Sequence, residues 1–252
     1  MLKIIKARIH QQNRTYPFPQ KMPTMDPRYA GRPIIKADKC QAGCQKCVDL
    51  CPTQAVSKIN GKITIDLGRC LFCRECEIKC PGSAISFTSE FSMGTNSLEA
   101  LKVSDESYAK LEEMGAELKR LFGRSLKLRQ VSAGGCNACE ADCNVLTTPT
   151  FDMARFGITF VASPRHADGL LVTGPVTQNM KQALIKAYQA LPAPAIVIAT
   201  GACAISGGLF KDNFETNAGI GDLIPVDLYV PGCPPNPWTI LDAMLRFMGA
   251  HK

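Results

Sequence analysis

Cysteine is the residue type best placed to do chemistry in this sequence. The chain has 13 cysteines among 252 residues, and eleven of them fall into three tight groups, while Cys203 and Cys233 stand alone. An odd total argues against a framework built only of disulfides. No secretory signal pattern opens the sequence, so we expect a reducing compartment and thiolates that bind metal.

The first two cysteine groups form an internal repeat with an offset of 29 residues, and each ends in Cys-Pro. The second group has the spacing of the bacterial ferredoxin run, which holds 4Fe–4S clusters, and the first has one extra residue between its first two cysteines. In that motif the fourth cysteine of each run ligates the other cluster. We therefore expect one cluster on each of two crossed sets: Cys40, Cys44, Cys47 and Cys80, and Cys70, Cys73, Cys76 and Cys51.

Structural zinc is the alternative for these two groups, because zinc also binds pairs of cysteines. Each group here supplies four cysteines and closes with a proline, Pro52 or Pro81, which turns the chain away and has no N–H to leave unpaired. This pattern favours iron–sulfur clusters. Between the groups, Asn60-Gly61 separates two strand-like stretches and predicts a β-hairpin.

The N-terminal segment is strongly basic. Residues 1–36 carry the whole net charge of +7, since eight lysines and arginines there face Asp26 alone. Five prolines between Pro17 and Pro33 predict an extended rather than helical arm, disordered when alone. We expect the arm to lie on a partner subunit; a solvated tail and attraction to anionic lipid are the alternatives. Nucleic acid binding is disfavoured, because the arm has no ladder of aromatic residues.

From Leu126 onward the sequence alternates short apolar stretches with helical patterns, which predicts a parallel sheet covered by helices. One predicted strand falls within the uncharged run Leu191–Phe210, whose prolines and glycines favour a strand and a loop over a membrane span. The predicted strands are Leu126–Val131, Ile158–Ala162, Gly169–Val172, Ala195–Thr200 and Val226–Val230, and the predicted helices are Thr177–Leu191 and Pro237–Met248.

The remaining cysteines follow three of these predicted strands. Loops after parallel strands lie along the carboxyl edge of the sheet, so cysteines distant in sequence can meet there. We expect Cys136, Cys139, Cys203 and Cys233 to hold a third 4Fe–4S cluster. Cys143 lies one helical turn past Cys139, and we expect it to be a buried structural cysteine rather than a ligand.

Two further segments are less specific. Thr88–Asn96 is polar and predicts a linker, and Ser104 can cap a helix that runs to Phe122. The charged loop containing Arg165, His166 and Asp168 has two interpretations: a structural turn, which we favour, or a contact with a partner subunit on a proton path.

Six motifs in the second half of the chain carry a family resemblance: Phe122–Leu126, Gly134–Glu140, Ser163–Asp168, Val172–Thr177, Gly201–Gly208 and Val230–Pro235. This half resembles the small subunit of membrane-bound nickel–iron hydrogenases of the formate hydrogenlyase and energy-converting type. That subunit is kin to the cluster-bearing subunit of respiratory complex I beside the quinone site. The first half, including Arg28–Pro33, resembles the separate ferredoxin-like subunit of the same complexes, so the chain resembles a fusion of the two.

The resemblance implies an organisation for the chain. We expect a basic extended arm over residues 1–36 and an α+β ferredoxin-like domain with two 4Fe–4S clusters over residues 37–88. A linker with an amphipathic helix over residues 89–124 would lead to an α/β flavodoxin-like domain with a parallel sheet over residues 125–252.

The resemblance also implies a function: an electron-transfer subunit of a hydrogenase complex at the cytoplasmic face of the plasma membrane. Its implied partners are a large subunit with the nickel–iron site, membrane-embedded complex I-like subunits and a donor module. The donor could be formate dehydrogenase, carbon monoxide dehydrogenase or ferredoxin. The alternatives are a complex I-type quinone oxidoreductase subunit and a free-standing electron carrier. The pair Cys136-Asn137-Ala138-Cys139 has the hydrogenase form, whereas the complex I subunit carries adjacent cysteines there.

Overall fold

The structure, a computed structural model, describes residues 2–59, 61–104 and 111–250. Their strands are β1 Pro33–Ile35, β2 Val56–Ile59, β3 Lys62–Asp66, β4 Ile85–Phe87, β5 Lys102–Val103, β6 Leu126–Ser132, β7 Ile158–Phe160, β8 Gly169–Thr173, β9 Ile196–Thr200 and β10 Leu228–Val230. Their α-helices are α1 Leu2–Gln11, α2 Lys46–Asp49, α3 Glu75–Ile78, α4 Ala116–Phe122, α5 Ala138–Val145, α6 Gln178–Gln189, α7 Ala202–Ser206 and α8 Pro237–Met248.

Strands β6 to β10 form the predicted parallel sheet, in the order β10-β9-β8-β6-β7. Every residue of β8 and β9 is buried, because both faces of the sheet are covered and an apolar strand suits such a position. The chain runs from β6 outward to β7 and then returns to β8 on the other side. This reversal creates a switch point at the carboxyl ends of β6 and β8, where ligands bind in such folds.

The two faces of the parallel sheet pack against different partners. Leu171 and Ile198 belong to a core shared with α5 and α8. Leu170 and Val197, which alternate with them, belong to a second core that also contains Leu184 of α6. This second core continues into the N-terminal half through apolar residues such as Ile65. The small antiparallel sheets and the parallel sheet therefore share one apolar core.

Strands β1 to β5 form two small antiparallel sheets, β1-β4 and β2-β3-β5. The predicted hairpin is present as β2 paired with β3, although Asn60 of its turn lies outside the described residues. β1 and β5 lie outside the predicted domain bounds of 37–88. They belong to this region nevertheless, because each pairs with a strand inside those bounds. We call residues 33–103 the small-sheet region and residues 126–250 the parallel-sheet region.

The prediction of an extended arm over residues 1–36 is wrong for its first part. Leu2–Gln11 precede the first proline and form α1, whose residues are all exposed. From Tyr16 onward the segment lies on its own chain: the N–H of Tyr16 donates to the carbonyl of Thr150, and Phe18 is only 1% exposed.

Aromatic packing holds the middle of the arm against the parallel-sheet region. The ring of Trp238 at the start of α8 lies 5.2 Å from that of Tyr16 and 5.3 Å from that of Phe18. Arg155 donates from Nη2 to the carbonyls of Tyr16 and Phe18 at 2.8 and 3.0 Å. The expectation that the arm is disordered when alone is therefore wrong for this part, because these aromatic residues pack on an apolar surface of the same chain. Contact of the arm with a partner subunit remains a prediction.

The predicted linker and its helix also differ from the structure. Thr88–Asn96 is not a polar tether, because it contains the buried side chains of Phe91 and Met93. The first turns of the predicted helix that Ser104 would cap, residues 105–110, fall outside the described residues. Residues 111–115 are not helical, and the helix is confined to α4.

The uncharged run Leu191–Phe210 contains the predicted strand as β9, but the short helix α7 stands where a loop was predicted. Across the three described ranges, no helix combines the length and the apolar character needed to cross a membrane.

Candidate metal centres

The structure brings the first crossed set of cysteines together. α2 carries Cys47, Cys80 follows α3, and these two short helices are in contact. Burial raises the pKa of the Cys47 thiol, and the sulfurs of the other three cysteines raise it further. One cavity, which we call the first cavity, is lined by all four: Cys40, Cys44, Cys47 and Cys80.

The four cysteines of the second crossed set also come together around one cavity. Burial raises the pKa of Cys70 to about 12, and the neighbouring sulfurs of Cys76, Cys51 and Cys73 add to it. The second cavity is lined by these same four residues: Cys51, Cys70, Cys73 and Cys76. In both cavities, then, the fourth cysteine comes from the other run, as the spacing predicts.

Backbone amides point at the fourth sulfur of each run. The N–H of Ala55 donates to Cys51 Sγ and the N–H of Ala84 donates to Cys80 Sγ, both at 3.2 Å. These two contacts are equivalent in the repeat, being 29 residues apart. Hydrogen bonds to sulfur favour the thiolate form that metal binding requires.

The third cysteine group gathers at the carboxyl edge of the parallel sheet. Cys136 and Cys139 follow β6, Cys203 lies in α7 directly after β9, and Cys233 follows β10. Burial raises the pKa of Cys203 to about 11, and the sulfurs of Cys233 and Cys136 raise it further. Burial also raises the pKa of Cys139, with Cys203 as the next contributor.

Glycine allows the close approach of backbone to sulfur in this group. Gly201 has a φ of +91°, and a Cβ placed on it would lie 2.6 Å from Cys139 Sγ. Such a conformation favours glycine, and such a contact excludes any side chain. Directly before it, Thr200 Oγ1 is the one buried side-chain polar atom that lacks a hydrogen-bond partner within the described residues.

The donor set fits iron–sulfur clusters at all three places. Each supplies four cysteine sulfurs, and 4Fe–4S clusters take one cysteine per iron. Among residues 2–59, 61–104 and 111–250, no group of three or more His, Cys, Asp or Glu is placed to hold a single metal ion. A cluster spreads its ligands over four irons, so its sulfurs stand farther apart than those around one zinc ion, each about 2.3 Å from the metal.

Two sequence predictions remain, one for Cys143 and one for the charged loop that precedes β8. Cys143 is fully buried, as expected of a structural cysteine, and burial raises its pKa to about 12. Arg165 and His166 are exposed, whereas Asp168 accepts from the N–H of Lys127 at 2.6 Å and ties β6 to the start of β8. The structural interpretation therefore suits Asp168.

Sequence reasoning missed the buried carboxylate of Glu140, one residue after Cys139. Its Oε1 accepts from Ser132 at 2.7 Å and from Thr173 at 2.6 Å. Burial acts to raise the pKa of Glu140, but the two hydroxyls and a backbone hydrogen bond outweigh it and lower the pKa below the usual value. The carboxylate thus places a negative charge beside the third group. The position of Glu140 directly after Cys139, in the first turn of α5, was the available signal.

The second cavity lies on the side of the small-sheet region that faces the third group. Leu71 and Phe72, next to Cys73, share a cavity wall with Cys233. A second contact joins the loops before Cys70 and after Cys203, where Ser206 Oγ donates to the carbonyl of Gly68 at 2.8 Å. The second cavity therefore adjoins the third group, whereas the described lining of the first cavity comes wholly from the small-sheet region.

A parallel α/β sheet that gathers four cysteines at its carboxyl edge can hold a cluster there. A family model described as "NADH ubiquinone oxidoreductase, 20 Kd subunit" matches residues 136–247, which include all four cysteines of the third group. The matched stretch lies wholly in the parallel-sheet region.

Individual relatives agree with this match. A probable membrane-bound hydrogenase subunit of Pyrococcus furiosus is 45% identical over 136 residues, which are 54% of this chain and 81% of the relative. Formate hydrogenlyase subunit 7 of Escherichia coli is 44% identical over 58% of this chain and 56% of its own length. NAD(P)H-quinone oxidoreductase subunit K of a Picosynechococcus species is 46% identical over 44% of this chain and 46% of its own.

The chain belongs to the family of the complex I 20-kDa subunit and the nickel–iron hydrogenase small subunit. It is therefore related to subunits of oxidoreductase complexes, as the six motifs predict. The chain spans about half the length of the formate hydrogenlyase and quinone oxidoreductase relatives.

Proposed function

We propose that this chain is the electron-transfer subunit of a membrane-associated nickel–iron hydrogenase complex and carries three 4Fe–4S clusters. The observation that carries the proposal is that the structure brings twelve cysteines of one chain together in three groups of four. A cluster bound at each group would accept and pass on single electrons. The protein's part is to hold the sulfurs, exclude water and fix the distance between neighbouring groups.

The contacts between the cavities support an arrangement of the electron path relative to the partners. The second cavity is joined to the third group through Gly68 and Ser206, while the described lining of the first cavity lies within the small-sheet region. A donor would therefore meet the first group, and the nickel–iron site of the large subunit would lie beside the third. The shared apolar core supports this, because it keeps the two regions at one spacing.

The small-sheet region would be the fused ferredoxin-like subunit. Its crossed cavities and its repeated amide-to-sulfur contacts support this assignment. The partners would be the large subunit, membrane-embedded complex I-like subunits and a donor module, at the cytoplasmic face of the plasma membrane. The membrane-bound hydrogenase named among the relatives supports such surroundings.

α1 would provide the attachment to these surroundings. It presents Leu2, Ile5 and Ile9 at helical spacing and carries four basic residues counting His10, all exposed. We expect deletion of residues 2–11 to leave the clusters intact and to weaken retention in the complex most at low salt, where the basic side chains of α1 are least screened. Normal co-purification of the shortened chain at low salt would contradict this role.

A complex I-type quinone oxidoreductase subunit is the second candidate, favoured by the match to subunit K. Cys136 and Cys139 are separated by two residues, whereas the complex I subunit carries adjacent cysteines there, so we favour the hydrogenase.

The test is anaerobic purification of the native complex with metal and sulfide analysis. We expect about 12 irons and about 12 sulfides per chain from three clusters, with nickel in the co-purified large subunit and hydrogen evolution from a low-potential donor. Iron for two clusters, or zinc in place of iron, would contradict the cluster assignment. A nickel-free complex that reduces quinone would support the second candidate instead.

A further inference from the structure

The two halves of the cysteine repeat hold their sulfurs alike but differ in charge. The 29-residue offset pairs each position of the first half with one in the second. Lys46 lines the first cavity, and its counterpart Glu75 lines the second. Both side chains are exposed, so water screens them, and the larger difference lies deeper.

That difference is Lys58, a half-buried residue of β2. Its Nζ donates to Cys40 Sγ at 3.3 Å and to the carbonyl oxygen of Cys44 at 3.0 Å. Two acceptors hold the ammonium group in place, and its partial burial limits screening. A positive charge is thus in hydrogen-bond contact with a sulfur of the first group.

The second group has no equivalent cation at this position. The counterpart of Lys58 is Phe87, whose ring lines the second cavity and lies 6.2 Å from the ring of Phe72. The sulfur of Cys70, the first cysteine of its run, receives the backbone N–H of Phe72 at 3.3 Å. The nearby guanidinium of Arg74 is paired with Glu77 at 2.6 Å, so its charge is balanced.

We propose that Lys58 is a positioning residue that sets the reduction potential of the first cluster above that of the second. This rests on the proposed function, because it presumes a cluster at each cavity. One electron added at the first site forms and breaks no bond and leaves one more negative charge there. The ammonium of Lys58 stabilises that charge, and neutral Phe87 does not do so at the second site.

The consequence concerns the end of the electron path that meets the donor. An electron that arrives at the first site is held there more tightly than at the second, so the first site acts as a reservoir. Electrons that move on toward the parallel-sheet region then leave from this first site. In the opposite direction, the first site is the favoured resting place for electrons taken from hydrogen.

The experiment is a redox titration of the purified complex, followed by electron paramagnetic resonance of the first cluster. Lys58→Met keeps the length of the side chain and removes the charge. At a fixed potential we expect its reduced-to-oxidised ratio to fall at least about tenfold, which is about 59 mV for a one-electron couple. Lys58→Arg keeps the charge and should stay close to the parent.

Two further variants keep the result decisive. Lys62→Met removes a charge from an exposed residue of the same hairpin and should leave the potential unchanged. Lys58→Gln removes the charge and retains a donor, and it should behave like Lys58→Met. An unchanged potential in either neutral variant at position 58 would overturn the proposal. Loss of the first cluster from both would assign Lys58 to holding Cys40 and would overturn it too.

Iron analysis of the unsubstituted complex separates this test from that of the proposed function. If the parent chain lacks a first cluster, the cluster assignment fails, and Lys58 has no potential to set. If the parent carries all three clusters and the neutral variants keep its potential, the role of Lys58 alone fails.

Discussion

The small-sheet region and the parallel-sheet region gather their cysteines in different ways. In the first, each set takes three sulfurs from one short run and the fourth from the other run, over at most 40 residues. In the second, Cys136 and Cys233 are 97 residues apart and meet only because β6 and β10 end at the same edge. A local run carries much of its own geometry, whereas the third group requires the whole sheet.

This difference implies unequal sensitivity to substitution. Changes in packing far from the cysteines should act on the third group first, because β6, β9 and β10 must keep their register to hold it. The crossed sets should respond mainly to changes in their own loops.

The largest expected effect is loss of the third cluster alone. Cys233→Ser removes one sulfur from the sheet edge, so the iron content should fall from about 12 to about 8 per chain. Hydrogen evolution by the complex should be abolished, because electrons could no longer pass from the second cluster to the nickel–iron site through the third. Iron analysis and electron paramagnetic resonance measure both results.

Cys143→Ser is the matched control for that variant. Cys143 lies in the same region, one helical turn past Cys139, but its side chain is buried in the apolar core. Its substitution should destabilise the fold modestly and leave all three clusters in place. Loss of a cluster in Cys143→Ser would mean that Cys143 takes part in ligation.

The next effect tests the dependence of the parallel-sheet region on distant packing. Phe18→Ala empties a site between Phe91 and Trp238, and a buried Phe→Ala change costs about 3–5 kcal/mol of unfolding free energy. Denaturant unfolding measures this loss, and the third cluster should be released before the other two. Leu2→Ala, at a residue that is 76% exposed, should change the stability by less than about 0.5 kcal/mol.

The smallest effect concerns pH. Burial raises the pKa of Tyr29 to about 12, and its hydroxyl lies 3.2 Å from Thr239 Oγ1 on α8. Since the unfolded phenol ionises near pH 10, the stability from the folded, protonated phenol is full below that pH and is lost as pH rises toward 12, by about 3 kcal/mol. Tyr29→Phe should cost about 1 kcal/mol at neutral pH and remove this alkaline decline. A decline of the same size in Tyr29→Phe would assign it to another group.

Residue spacing was enough to predict the crossed cysteine sets that now meet in the two cavities, because a run of short gaps specifies its own turn. Apolar runs also predicted the parallel strands, and α8 has the predicted bounds. The hydrogenase and complex I resemblance is confirmed by the family match. Ligation itself remains a prediction.

The elements that were missed depend on pairing or burial that spacing does not encode. β1 and β5 have three and two residues and exist only because they pair with β4 and β3. The prolines of the arm led to the prediction of an extended segment, although α1 ends before the first of them. Lys58 and Glu140 were missed because their partners, Cys40 for Lys58 and the hydroxyls of Ser132 and Thr173 for Glu140, are known only from the folded structure.

The apolar core shared by the two regions has a consequence for biosynthesis. Ile65 is made long before Val197, yet both belong to the same core. At ribosomal rates of roughly 5–20 residues per second, the N-terminal cysteines wait several seconds for the strands that will cover them. Both crossed sets are complete once Cys80 has been made, so proteins that deliver clusters would have time to fill them before the core closes, whereas the third group must wait for Cys233.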